Sequence, residues 1–532
     1  MRVADFFCGA GGFSEGFRQA GFEICFAVDK WLPAITTYKA NKPNTNAIVD
    51  DVIRISKLPD GEFNALVPDT EVIIGSPPCQ AFSSSNKSGN GDKELGIELV
   101  KAYLRIVARK KYKENSILKY WVLENVPNIK KYIKEEYTAS DLDLPGAFSL
   151  HPYNDSTNIY NAKYFGAPTN RKRFLCGYFP EPVKTQNDDN VITLRKVLDC
   201  LGEPLSNDRK EIIDCNYHDL ILPIEKVTDH QYQFILQPFE WKTAKRLKED
   251  KGYMGKMSFP ENLDKPSRTV MATMSASSRE SMILPCGNQY RLPTVREAAC
   301  MMSFPLDYKF YGNSIGIKYT LVGNAVPPKL SYALAVAMKH AENQHVPDCH
   351  PRIHHDENIP FVDFNYHVIP PKHEKQKKIE AKFKYHIPYL IIDAYRVELT
   401  NYKSDFENKN FKWSVELHYS QGKNKAKSYS LDMNPENLDE DIRIRADEFV
   451  RTIRTRMCSP NEFQIRFCMT EDRRNNEHLL GPMELLDEVK EFLNLNVINN
   501  YRDTYTKLTQ ISTEIPAIIC IGYYILQKII RV

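Results

Sequence analysis

Apolar positions in the first third of the chain come in strand-length runs separated by helical periods. Val3 to Phe7 is an apolar run that breaks into Cys8-Gly9-Ala10-Gly11-Gly12, after which Phe13, Gly16, Phe17 and Ala20 recur at helical spacing. Glu23 to Val28 predicts a second strand ending at Asp29, and Ala47-Ile48-Val49 a third ending at Asp50-Asp51-Val52. Glu71 to Ile74 predicts a fourth, and Trp121-Val122-Leu123 a fifth ending in Glu124-Asn125. Strands alternating with helices predict a doubly wound parallel sheet, whose functional groups gather at the carboxyl ends of the strands.

The pattern changes twice along the chain. Between Phe179 and Arg291 the alternation fades into Pro-rich and charged stretches, and residues 344–380 are rich in Pro, His and Lys and read as a linker. Beyond it, Tyr389 to Leu399, Phe411 to Tyr419 and Lys427 to Leu431 alternate as strands, and Met483 to Leu495 has a helical period, which predicts a small α+β domain. The apolar run Ile515 to Leu526 is too short to span a bilayer and contains Pro516 and Gly522; a packed terminal helix is expected.

Composition narrows the classes. A chain of 532 residues exceeds one core, and 42% apolar content with a mean hydropathy of -0.46 describes a soluble globular protein. The N-terminus enters an apolar strand at once and shows no signal-peptide pattern. Twelve cysteines without a C-x-x-C pair point to reduced thiols and a cytoplasmic, intracellular setting. His345, Cys349, His350, His354 and His355 match no zinc spacing, so no metal is expected. The net charge of +3 is mild, so a polyanion would be met by local patches. One such stretch runs from Lys372 to Lys427, where Lys and Arg outnumber acids and Tyr and Phe are interleaved.

Candidate chemistry centres on Gly75-Ser76-Pro77-Pro78-Cys79-Gln80, where a cysteine stands between a buried strand and the polar loop Ala81 to Gly91. The scaffold fixes such a thiol while the loop is free to close, the arrangement a nucleophile needs. Strand order brings Glu124 beside the end of the Cys79 strand, as an acid able to share its pocket. Arg171 and Arg173 alternate along a strand and so share one face. A nuclease-type metal motif, Asp363 with Glu380-x-Lys382, falls in a charged stretch that does not read as a buried strand.

These segments resemble those of a known family. Asp5-Phe6-Phe7-Cys8-Gly9-Ala10-Gly11-Gly12-Phe13-Ser14, Pro77-Pro78-Cys79-Gln80 and Glu124-Asn125-Val126 resemble, in order and spacing, the cofactor, nucleophile and acid motifs of the DNA cytosine C5-methyltransferases. Gly166 to Arg173 resembles the paired-arginine segment, Arg291 to Ala299 with Ser303-Phe304-Pro305 the helix supporting the recognition domain, and Gly323-Asn324-Ala325-Val326-Pro327 the closing cofactor motif. Two departures stand out. Thr169 replaces the family's usual Gln, and the Leu118-Lys119-Tyr120 region replaces a common Pro.

The resemblance implies a Rossmann-like α/β sheet of the S-adenosylmethionine-dependent methyltransferases. The catalytic domain is expected at residues 1–180, a target recognition domain with its supporting helix at 181–310, and the closing catalytic segment at 311–343. An accessory α+β domain follows the linker at 381–532. Cys79 is expected to add to carbon 6 of a cytosine rotated out of duplex DNA, with Glu124 as the acid near N3 and Arg171 and Arg173 holding the base oxygen and phosphate. Gln80, Ser83 and Asn125 are expected at the substrate, with Ser83 to Gly91 as a lid. S-adenosylmethionine is expected against Phe7, Gly9, Gly11, Asp29, Asp51, Val52, Asn324 and Val326, with Trp31 either stacking on adenine or belonging to the core. His230 to Phe234, Trp241 to Arg246 and Lys265 to Val270 offer groups able to read bases. The expected partner is double-stranded DNA, acted on by a monomer alongside a cognate restriction endonuclease and away from any membrane. The alternatives are methylation of tRNA cytosine and a catalytically silent DNA-binding relative.

Overall fold

The computed structural model describes residues 1–79, 82, 92–206, 209–249, 257–348, 351–419, 427–430, 439–497, 501, 504–507 and 514–531. The chain forms two compact units, one of residues 1–236 with 260–370 and one of residues 237–259 with 371–532. The chain crosses between these units at 236–237, 259–260 and 370–371.

The first unit is organised by a seven-stranded sheet. Strands β1 (Arg2–Phe6), β2 (Glu23–Asp29), β3 (Asn46–Val49), β4 (Val72–Gly75) and β5 (Tyr120–Asn125) are joined by Lys172–Tyr178 and Asn158–Asn161 in the order β3-β2-β1-β4-β5, then Lys172–Tyr178, then Asn158–Asn161. The first five are parallel, and Lys172–Tyr178 runs antiparallel to both its neighbours. All residues of β4 and β5 are buried, as expected of central strands covered on both faces. Period-two alternation sends Val3, Val72, Ile74 and Val122 to one core, shared with α1 (Gly12–Gln19) and the helix Pro328–Ala341. Ala4, Phe6, Ile73, Trp121 and Leu123 go to the other, under α3 (Val52–Ser56) and the helix Lys93–Lys111. Strand order reverses between β1 and β4, so the segments leaving them, Phe7 to Gly11 and Ser76 to Cys79, flank the crevice where ligands bind in such sheets.

A polar core sits beneath the glycine turn. The carbonyls of Ala10 and Gly11 are turned inward and need donors; the Tyr308 hydroxyl donates to Ala10, and Lys42 Nζ to Gly11 at 3.4 Å. Lys42 is itself buried, and pairs with Glu15 at 3.2 Å while donating to the Tyr308 hydroxyl at 3.1 Å. Arg18 closes the group at 2.7 Å from Glu15. Next to it the Ser14 hydroxyl donates to Asp5 and lies 2.5 Å from that of Tyr38. Burial pushes the Asp5 carboxyl up to about 7.

Beyond the sheet this unit has short strands, Phe234–Ile235, Leu284–Cys286 and Gln289–Leu292, over a core shared with the helices Leu194–Leu201, Val295–Met301 and Ile315–Asn324. Thr294 and Glu297 form a capping box at the start of Val295–Met301. Arg291 pairs with Glu297 at 2.7 Å, both buried.

The second unit holds an antiparallel sheet of Lys384–His386, Tyr395–Thr400, Ser414–Tyr419 and Lys427–Tyr429. Its core includes residues of the helices Glu440–Arg454, Pro460–Cys468, Pro482–Asn496 and Ala517–Ile530. The last is the expected terminal helix, buried almost all round. The expected strand from Tyr389 begins only at Tyr395, because Tyr389, Asp393 and Ala394 adopt left-handed backbone angles that turn the chain first. Among the described residues no helix is long and apolar enough to cross a membrane.

Burial alone would raise the pKa of Glu15, yet Arg18 and Lys42 outweigh it and pull it from 4.5 down to about 2. A carboxyl with a depressed folded pKa adds stability above its unfolded pKa that is lost as pH falls. Glu15→Gln is therefore expected to cost about 3 kcal/mol or more at neutral pH, through the buried cations it strands. The deficit should shrink as pH falls from 4.5 toward 2, read as the gap between wild-type and variant urea midpoints along a pH series.

Candidate active site

Cys79 is half-buried and lies four residues beyond the end of β4, as Ser76-Pro77-Pro78-Cys79. The position is braced from β5. The Asn125 side chain, 1% exposed, donates from Nδ2 to the Pro77 carbonyl at 2.9 Å and accepts the Val126 N–H at 2.8 Å. On the far side the Phe82 N–H donates to the Cys79 carbonyl at 2.9 Å, and Asn128 Nδ2 to the Phe82 carbonyl at 3.2 Å.

Glu124 is 3% exposed, and both its oxygens are engaged. Parallel pairing of Gly75 with Leu123 sets Ser76 beside it, and the Ser76 hydroxyl donates to Oε2. Antiparallel pairing of Leu175 with Glu124 sets Arg173 diagonally across on the same face, with Nε 2.8 Å from Oε1. Ser76 is a site residue that motif reading passed over. Its signal was positional, one residue past a strand whose parallel neighbour ends in the acid.

Arg171 shares that face and does a different job. Nη1 donates to the Val270 carbonyl at 3.2 Å, and Nη2 to those of Gly323 and Ala325 at 3.0 Å each. It fastens the closing segment to the paired-arginine strand. Burial and the like charge of Arg173 lower its pKa, while Glu124 and Cys79 oppose the fall, so its charge still acts on both groups. Thr169, where the family usually has Gln, is buried and donates its hydroxyl to the Arg268 carbonyl at 3.1 Å.

Across the crevice, the residues expected to hold a cofactor divide into open and packed. Gly9 has a left-handed φ of 51°, and a Cβ there would meet nothing within 4 Å, so the backbone faces free space. Gly11 is left-handed too, but a Cβ there would press on Tyr38 and Tyr308 at 2.9 Å, so this glycine serves packing. Phe7 is held left-handed and is half-buried. Asp29 accepts the Gly9 N–H and the Trp31 N–H, each at 2.9 Å, and burial raises its pKa. Asp51 caps α3 through Ile53 N–H at 2.8 Å and pairs with Lys30 at 3.0 Å. Val52 and Val326 are core residues, Asn324 is exposed, and Trp31 packs partly buried against the recognition core.

Several expected positions fall elsewhere. Gln80, Ser83 and the loop Ser83 to Gly91 lie outside the described residues, as do Cys349 and His350. His230, Gln231 and Tyr232 are buried, and the Tyr232 hydroxyl accepts the Val295 N–H, so these side chains support the recognition core instead of facing solvent. Lys242 pairs with Glu471, and Arg246 with Asp487 at 3.1 Å. Asp363 accepts the Asp229 N–H at 2.9 Å in the first unit, whereas Glu380 and Lys382 lie in the second, exposed and outside any strand. No group of three or more His, Cys, Asp or Glu able to hold a metal is found among the described residues.

The sheet order and the groups at its carboxyl ends define a Rossmann-like α/β enzyme with its site at the switch point. Residues 1–340 match the model of the C-5 cytosine-specific DNA methylases. The type II methyltransferase M.MthTI of Methanothermobacter thermautotrophicus is 30% identical over 371 residues, covering 64% of this chain and 97% of that protein. M.DdeI of Desulfomicrobium norvegicum is 29% identical over 378 residues, covering 63% and 88%. The crystal structure of the S. pombe Dnmt2 methyltransferase aligns with a TM-score of 0.44 at 18% identity, over 64% of this chain and 99% of that one. The chain belongs to the C-5 cytosine-specific DNA methylase family and is a DNA (cytosine-5)-methyltransferase.

Asn125→Ala removes the donor to the buried Pro77 carbonyl, a loss of about 1–3 kcal/mol, and frees the segment that carries Cys79. The turnover number for methyl transfer is expected to fall by roughly 10- to 100-fold, with the Kd for S-adenosylmethionine, read by calorimetry, unchanged.

Proposed function

We propose that this enzyme methylates carbon 5 of a cytosine rotated out of a specific duplex sequence, by way of a covalent bond from Cys79 to carbon 6. One arrangement carries the reading: a thiol just past β4, beside a buried carboxyl fixed at the end of β5, across the switch point from an open glycine turn.

Carbon 5 of cytosine is a weak nucleophile until the ring gains electrons. The Cys79 thiolate adds to carbon 6, and the displaced π electrons make carbon 5 the attacking atom. Charge then builds toward N3, where Glu124, oriented by Arg173 and Ser76, is the group placed to exchange a proton with the ring. Loss of the carbon 5 proton afterwards expels the thiolate and restores the ring. Arg171 and Arg173 add fixed positive charge near the thiol and the acid, Arg171 also holding the closing segment in place.

S-adenosylmethionine, when bound, supplies an electrophilic methyl group. The chain's residues suit it: the open backbone at Gly9 leaves room for the ligand, Asp29 is held at the end of β2 with lone pairs to spare for ribose hydroxyls, and Asp51 and Val52 mark the end of β3. Phe7, Asn324 and Val326 border the same region. The base cannot be reached inside the stack, which is why extrusion belongs to the proposal. Gln80 and Ser83, next to the thiol in sequence, are assigned to the substrate. Named relatives are type II methyltransferases, and this supports a role as the modification enzyme of a restriction-modification system with a nuclease acting on the same sequence.

Duplex DNA substituted with 5-fluorocytosine, which cannot lose a proton from carbon 5, is expected to trap the enzyme in a denaturant-stable complex when S-adenosylmethionine is present. Cys79→Ser should form no such complex while still binding the duplex in a filter assay. An undiminished adduct in that variant, or tritiated methyl label found in adenine or in tRNA alone, would overturn the proposal.

A further inference from the structure

The second unit carries a surface that the methyl-transfer chemistry does not use. Residues 371–382 form a strap without helix or strand, with a turn at 379–380, and a buried pair of amides holds it. Gln464 and Asn401, each 0% exposed, bond to one another at 2.9 Å. Gln464 Nε2 donates to the carbonyls of Ile379 and Ala381 at 2.8 and 2.9 Å, and Asn401 Nδ2 to that of Ala381 at 3.0 Å. Cys468 adds an S–H to the Lys378 carbonyl, and its own carbonyl accepts the Lys377 N–H at 2.9 Å. Backbone carbonyls are thus held inward and Ile379 and Ala381 pack against the core, while most of the other side chains of the stretch are exposed.

Those side chains are mostly lysines. Lys372, at one end, pairs with Glu240 at 3.0 Å, and Lys384, just beyond the other, pairs with Glu398 at 3.0 Å. Between them Lys375, Lys377, Lys378 and Lys382 are exposed and have no carboxylate partner among the described residues. Lys377 lies over the Phe467 ring at 5.2 Å, and Lys382 over Tyr402 and Phe406 at 5.9 and 5.6 Å. Rings hold these ammonium groups without neutralising them. The same stretch holds two acids, Glu374, which accepts the N–H of Glu471, and the exposed Glu380, against five lysines, so its charge is net positive. A fixed row of unneutralised cations matches a regularly spaced polyanion, and the substrate of this enzyme is one.

We propose that the strap binds the DNA backbone: Lys375, Lys377, Lys378 and Lys382 meet duplex phosphates irrespective of sequence, making the second unit part of the DNA-binding surface. The inference rests on the DNA substrate that family membership gives, and not on the roles of Cys79 or Glu124. The second unit also contains residues 237–259 of the recognition interval, so the chain passes between the units at residues 236–237, 259–260 and 370–371.

Every phosphate that the protein ceases to neutralise lowers the slope of log affinity against log salt by about 0.9. The test is the salt dependence of full-length enzyme binding to duplex DNA of random sequence, measured for wild type, for a variant with Gln at all four lysines and for one with Arg at all four. The Gln variant should lose up to about 3.6 from the slope, the Arg variant should keep it, and both should retain the wild-type turnover number at saturating DNA. An unchanged slope in the Gln variant would sink the proposal, as would an equal loss in both variants, which would mark a structural role. Because the readout is binding, a Cys79 that proved dispensable would leave it standing.

Discussion

A carboxylate 3% exposed at the end of a central strand demands compensation, and the geometry of the first unit follows from supplying it to Glu124. An unpaired charge at such depth would be neutralised or would unfold its surroundings. Arg173 provides the cation and Ser76 the hydrogen bond, and each can reach only in the observed registers, Gly75 against Leu123 and Leu175 against Glu124. A one-residue slip of either partner would send its side chain to the opposite face. The antiparallel strand Lys172–Tyr178 is therefore part of the site. Through Arg171, two residues from Arg173, it also anchors Gly323 and Ala325, which lie far along the chain. One strand thus fixes the acid and ties down the far wall.

The glycine turn poses the complementary problem. A backbone left bare at Gly9 so that a ligand can approach turns the next carbonyls, Ala10 and Gly11, inward, and an apolar floor would leave them unsatisfied. The polar core of Lys42, Glu15, Arg18 and Tyr308 resolves this. Tyr308 and Lys42 donate to the two carbonyls, and Glu15 holds Lys42 charged and in place. Lys42 follows α2 (Leu32–Asn41), and Tyr308 comes from the stretch after the helix Val295–Met301. The glycine turn therefore depends on residues drawn from several parts of the first unit.

Much of this was legible in the sequence because parallel strands announce themselves twice, as apolar runs and as places where chemistry begins. The five parallel strands, the thiol, the acid and the glycine turn are all short-range signals. What escaped were roles decided by partners distant in sequence. Arg171 and Arg173 look equivalent in a two-residue alternation, yet one meets a carboxylate and the other three carbonyls. Asn125, expected at the substrate, has both side-chain atoms committed to the backbone. Gly9 and Gly11 read alike, and only the neighbours of their missing side chains separate an open cradle from a packed one. In the second unit, the strand expected from Tyr389 starts late because left-handed residues interrupt it, which a count of apolar alternation does not register.

The helix Pro238–Glu249 shows where such reading misleads most. Its Lys242, Arg246 and Trp241 have the composition of a base-reading element, and the segment sits in the interval where such an element belongs. In the structure Lys242 pairs with Glu471, Arg246 with Asp487 and over the Tyr385 ring at 5.3 Å, and Trp241 stacks on Phe259. Glu240 faces Lys372 at the head of the strap. Cations already matched to carboxylates gain little by exchanging them for DNA, since the partners left behind would need solvating again. A helix whose charges are committed within its own unit acts as an attachment, and its bonds join this stretch of the recognition interval to the segment bearing the unpaired lysines. The helix holds its own stretch within the second unit.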